Sequence, residues 1–189
     1  MHLFMVKIRA FLDLGLIECL SVSLYKILTK FSIHPVCFIK TEAPMPPFFQ
    51  ESRLPEVELP LTSEWDDHTN LFSHYKIPLG DKPPQWLKNP LLGGEDKALI
   101  PWWKIPDFDD VNGDIKLIWE QSRMNWAVIF AQRIRNGDSF SLTRLNDWLS
   151  DWLEKNPPYL GPNWKCGQEA SIRVINLCCC ALILGQEQS

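Results

Sequence analysis

Proline is spread so unevenly along this 189-residue chain that it divides the chain into stretches obeying different rules. Twelve of the fifteen prolines fall between Ser32 and Asp110, among them Pro44, Pro46, Pro47, Pro83 and Pro84. Each removes a backbone N–H donor and clashes with a preceding helical turn, so this stretch holds short strands at most. It also carries Phe48, Phe49, Trp65, Phe72, Tyr75, Trp86, Trp102 and Trp103, too much aromatic area to leave in water. The expectation is an irregular segment wrapped over helices rather than a flexible linker.

The flanks read as helical. From about Leu3 to Phe31 the residues Leu16, Leu20, Leu24, Ile27 and Leu28 recur at three- and four-residue steps, with Gly15 separating two short amphipathic helices. Asp13 and Glu18 interrupt the early apolar run, which falls short of the roughly 20 residues a spanning helix needs. No small-residue cleavage pattern follows it, so an export signal is not expected, and contact with a membrane surface is the alternative to core packing.

After Asp110 three helices are expected. The first runs from about Asp114 to Arg135 and stops at Asn136-Gly137; the second starts near Ser139 or Ser141 and is ended by Asn156-Pro157-Pro158. The third, about Gly167 to Leu184, is nearly all apolar and reads as a rod buried on most sides. Glu169, Arg173, Asn176 and Cys180 form one narrow stripe down it, a stripe that must face water, a ligand or a polar partner. The fold expected is mainly α, an incomplete α/α toroid of helical hairpins preceded by the Pro/Trp-rich irregular segment. The divisions are 1–31, 32–110 and 111–189.

A net charge of −4 provides no broad basic field, so nucleic acid is not an expected partner. The six cysteines show no CxxC spacing, and Cys178, Cys179 and Cys180 are consecutive in an apolar run, so buried reduced thiols are expected and no metal site. The four histidines stand in no nucleophile or HExxH context; Asp66-Asp67-His68 reads as a surface loop. No Gly-rich phosphate cradle is evident and no cofactor is called for.

The most loaded stretch is Asn156 to Arg173. Its prolines and Gly161 fix a loop that delivers Asn163, Trp164 and Lys165 to the amino end of the third helix, where hydrogen bonding, a stacking face and positive charge suit an acidic sugar. Equally, Asn163 would cap that helix while Glu169 and Arg173 form an i, i+4 pair. Glu120 and Arg123 repeat the pairing at three-residue spacing, either in the same cleft or on a solvated helix face.

Asp114-Ile-Lys-Leu-Ile-Trp-Glu-Gln-Ser-Arg-Met-Asn-Trp126, followed by Asn156-Pro-Pro-Tyr-Leu-Gly-Pro-Asn-Trp164 and Glu169-Ala-Ser-Ile-Arg173, resembles two signatures of the heparinase II/III-like polysaccharide lyase family in order and separation. That resemblance implies an amino-terminal helical toroid joined to β-sandwich layers. It also implies β-elimination at uronic acid residues, in which a base removes the C5 proton and an acid protonates the departing glycosidic oxygen. The family's catalytic residues are expected beyond Ser189, so none is assigned. The implied substrate-binding residues are Asn163, Trp164, Glu169 and Arg173, with Glu120 and Arg123 beside them. The partners implied are an acidic polysaccharide or oligosaccharide and a carboxy-terminal catalytic and β-sandwich portion. A standalone carbohydrate-binding or scaffold module without catalysis is the alternative. The family implies a periplasmic or secreted setting, whereas the cysteines and the lack of an export signal suggest the cytoplasm.

Overall fold

The computed structural model describes residues 13, 15–52, 54–55, 68–94, 99–110 and 113–186. The chain is mainly helical and divides into two units, 1–41 and 42–189. Trp65, Asp66, Asp67 and the helix expected before Gly15 lie outside the described residues.

In the first unit, helix α1 (Leu16–Lys30) begins directly after Gly15, whose φ of 85° is one a side chain rarely tolerates. Its expected apolar face stays uncovered: Leu16, Leu20, Leu24 and Ile27 are all more than half exposed. Beyond α1, a 3-10 turn at Pro35–Phe38 is capped by His34, whose Nδ1 accepts from the Val36 N–H at 3.2 Å.

The second unit opens with an irregular run that Asn146 clamps. Its Oδ1 accepts from the N–H groups of Phe48 and Phe49 at 2.8 and 3.0 Å, and its Nδ2 donates to the Phe49 carbonyl at 2.9 Å. A hairpin follows, β1 (His68–Leu71) and β2 (Tyr75–Pro78), paired antiparallel from His68 opposite Pro78 to Leu71 opposite Tyr75. Trp86 then drops into the core at 1% exposure, and a two-residue ladder of β3 (Phe108–Asp109) with β4 (Gly113–Asp114) leads into the helices.

The first helix is not continuous. Helix α2 (Lys116–Trp119) tightens into a 3-10 turn at Glu120–Arg123, the chain passes through left-handed backbone at Met124 (φ 64°), and α3 (Asn125–Arg135) starts anew. Met124 has a costly conformation for a residue with a side chain, and the surroundings must hold it. Met124 is buried, and the adjacent Arg123 is fixed by the charge pairing described below.

Helices α4 (Ser139–Lys155) and α5 (Gly167–Leu184) have the expected bounds. Asp138 caps α4 by accepting from the N–H groups of Phe140 and Ser141 at 3.1 and 3.3 Å and from the buried Ser141 hydroxyl at 2.6 Å. Asp138→Ala should therefore destabilise the protein by about 1–2 kcal/mol, read from the urea midpoint, with the upper figure reflecting the orphaned hydroxyl.

The central rod is α3 rather than the expected α5. Helix α3 packs against both α4 and α5 and buries Trp126, Ala127, Ile129, Phe130, Ala131 and Ile134. Trp86, Trp126, Phe130 and Trp148 form the middle of the core, ring centroids 5.0–6.2 Å apart. Helix α5 is not buried on most sides as expected, and of the alternatives open to its stripe Glu169 takes the polar partner. Its polar residues Glu169 and Arg173 are buried with Cys180 and Leu184, while Val174, Ile175 and Leu182 are more than half exposed. By length and composition α5 could cross a membrane, but its charged side chains are bonded into the folded unit. The expectation of buried thiols holds for Cys180, whose pKa burial pushes up to about 12; Cys178 is exposed.

Candidate functional site

The buried polar stripe of α5 is matched by a guanidinium from the strained turn before α3. Arg123 donates through Nε and Nη2 to the two oxygens of Glu169, both at 2.8 Å, and its Nη1 meets Glu120. The i, i+3 spacing of Glu120 and Arg123 suits a 3-10 turn, where side chains three apart eclipse. Both carboxylates are almost wholly buried and Arg123 three-quarters so, and the hydrogen bond that Arg123 donates to Glu169 leads the effects that raise the Arg123 pKa. The solvated-face alternative for Glu120 and Arg123 is therefore excluded. Glu169 does not pair with Arg173 one turn on; its partner comes from 46 residues earlier.

This cluster anchors the hairpin. The Phe72 N–H at its tip donates to Glu120 Oε2 at 2.8 Å, and the tip residues Phe72 (φ 52°) and Ser73 (φ 56°) both occupy left-handed backbone. Together with Met124, three residues in conformations that ordinarily favour glycine surround one ion cluster, a concentration typical of functional sites.

Between hairpin, α3 and α5 lies an open cavity of about 270 Å³. Its polar wall comprises His68, Thr69, Asn70, Ser73, Asn125 and Asn176, over a floor of Val128 and Ile129. Asn176 is fixed by donating to the Arg123 carbonyl at 2.7 Å and to Asn125 Oδ1 at 2.9 Å. The buried Nε2 of His68 has no hydrogen-bond partner among the described residues. Amides and hydroxyls are both donors and acceptors, so this wall suits a hydroxyl-bearing ligand that alternates C–H and O–H faces.

Arg173 lies elsewhere. Its Nη2 donates to the Asn163 carbonyl at 2.8 Å, and its guanidinium stacks 5.1 Å from Trp152 and 5.6 Å from Trp164. Burial lowers its pKa to about 10 against the opposing pull of Glu169. Asn163 is no helix cap. It is fully buried, donating through Nδ2 to Asn156 Oδ1 at 2.8 Å, and α5 begins after Cys166 without a side-chain cap. Trp164 is half-buried with Nε1 on the Asn156 carbonyl at 3.0 Å, and Lys165 is turned to the Ile105 carbonyl and Asp107. The expected anion site at the amino end of α5 is thus replaced by an internal network.

The structure joins Glu120, Arg123 and Glu169 in one cluster and places Asn163, Trp164 and Arg173 in a second, with Asn125 and Asn176 facing the cavity beside the first. His68, Thr69, Asn70 and Ser73 were not legible as site residues; the one sequence signal was polar side chains interrupting a short strand. No family model, curated protein or solved structure matches the chain.

Proposed function

We propose that the chain is the saccharide-binding helical portion of a polysaccharide lyase that cleaves uronic-acid-containing chains by β-elimination, with α3, α4 and α5 the start of an α/α toroid of helical hairpins. The observation that carries the binding part is the asparagine-lined cavity: six polar side chains over a small apolar floor, resting on a buried ion cluster. The lyase assignment rests on the resemblance, which gains support because the two stretches that carry it touch. Arg123 of the first holds Glu169 of the second, and Trp119 Nε1 donates to the Pro162 carbonyl at 2.8 Å. No residue described here is assigned the proton transfers of the elimination. A binding module without catalysis is the second reading, which the same cavity favours.

Titration with oligouronates, followed by calorimetry, tests the binding. Asn125→Ala and Asn70→Ala should each weaken it about fivefold, the worth of one hydrogen bond of about 1 kcal/mol. A folded protein that binds neither uronate nor neutral oligosaccharides would sink the reading. Appearance of an unsaturated uronate product in the same mixture would select the lyase over the binding module.

A further inference from the structure

The second cluster borders a different cavity, of about 400 Å³, within the range of small-molecule sites. Phe48, Phe49, Trp152, Trp164 and Leu177 supply walls that are almost entirely apolar, and among the described residues Arg173 is the one charged group that lines them. A sugar would bring several hydroxyl groups into a place that offers them almost no partners, at a cost of kilocalories each, so this is not a second saccharide subsite.

Arg173 has unmet demand for negative charge. It is 5% exposed, and its Nη2 is spent on the Asn163 carbonyl. The nearby carboxylate, Glu169, is held on both oxygens by Arg123, and the buried Nη1 of Arg173 has no hydrogen-bond partner among the described residues. The tryptophan faces stabilise the cation but accept no directed hydrogen bond from it.

We propose that this cavity binds an anion with an apolar body, an aryl or alkyl carboxylate whose flat or extended tail lies along Phe48, Phe49 and Leu177 and whose charged end is held by Arg173. The carboxylate would complete the coordination that Glu169 leaves open, and the guanidinium is pre-oriented for it by Asn163 and by the two indoles. The site stands independently of saccharide binding at the asparagine-lined cavity, which has its own walls.

The test uses 2-naphthoate and its uncharged isostere 2-naphthamide, titrated into the full chain and followed by tryptophan fluorescence. Naphthoate should bind at least about tenfold more tightly than the amide, as a charge-assisted hydrogen bond demands. Arg173→Met should abolish the difference, and Ala170→Leu, which narrows the cavity and keeps the arginine, should weaken both ligands. Equal affinity for acid and amide, an acid preference surviving Arg173→Met, or binding indifferent to Ala170→Leu would overturn the proposal. Because Ala170→Leu leaves Arg173 in place, the test stands even if the Arg173 variant does not fold.

Discussion

Replacing Arg123 with methionine should destabilise the 42–189 unit by about 3–5 kcal/mol, the cost of leaving a buried charge without its partner. The argument rests on asymmetry. Glu120 and Glu169 are both almost fully buried, and one guanidinium serves both, so its loss strands two carboxylates rather than one. Methionine keeps much of the stem's packing, which isolates the charge. Arg123→Lys should recover only part of the loss, because an ammonium cannot reproduce the two-point grip on Glu169. Adding Glu169→Leu to Arg123→Met should restore stability relative to Arg123→Met alone, since one stranded charge is gone. Tryptophan fluorescence in urea reads this unit alone, as all nine tryptophans lie in it. A loss below about 1 kcal/mol would show that water reaches the carboxylates and that the cluster behaves like a surface pair. A full-sized loss would mean that the hairpin tip at Phe72 and the left-handed Met124 depend on one guanidinium.

How far the sequence revealed this arrangement depended on whether the governing interaction was local. The bounds of α4 and α5 were readable because Ser139, Asn156-Pro157-Pro158 and the apolar run from Gly167 to Leu184 are local signals. The break at Met124 was not, because neither glycine nor proline marks it and the neighbouring Arg123 is bonded to Glu169 on another helix. Which of water, a ligand or a polar partner the α5 stripe faces was undecided for the same reason. A narrow polar stripe on an apolar helix has the same period whether it faces water or protein, and only the distant Arg123 decides between them. Glu120 and Arg123 were legible as a pair through their spacing, but their burial and their shared partner were not. Most hidden was the asparagine-lined cavity, since its walls are drawn from a hairpin and two helices separated by dozens of residues.

Trp86→Ala should be as damaging as the loss of Arg123, about 3–5 kcal/mol, although Trp86 belongs to no helix or strand. Its ring lies 5.6 Å from that of Trp126 and 6.2 Å from that of Trp148, so its removal opens a cavity between the two core helices rather than trimming a cover. Its Nε1 donates to Asp151 at 2.7 Å, and its carbonyl accepts from Asn163. Trp86→Phe separates these roles. It keeps most of the ring contact and gives up the indole bond, and Asp151 is exposed enough to rehydrate and already holds Lys155, so the cost should be about 1–2 kcal/mol. Hydrogen exchange supplies the second readout: Trp86→Ala should release protection in the β1–β2 hairpin as well as in α3, because the residue ties the irregular stretch to the core. If Trp86→Ala costs under about 1 kcal/mol and leaves the hairpin protected, the stretch is held by Asn146 and Glu120 instead, and its aromatic content is a covering rather than a core.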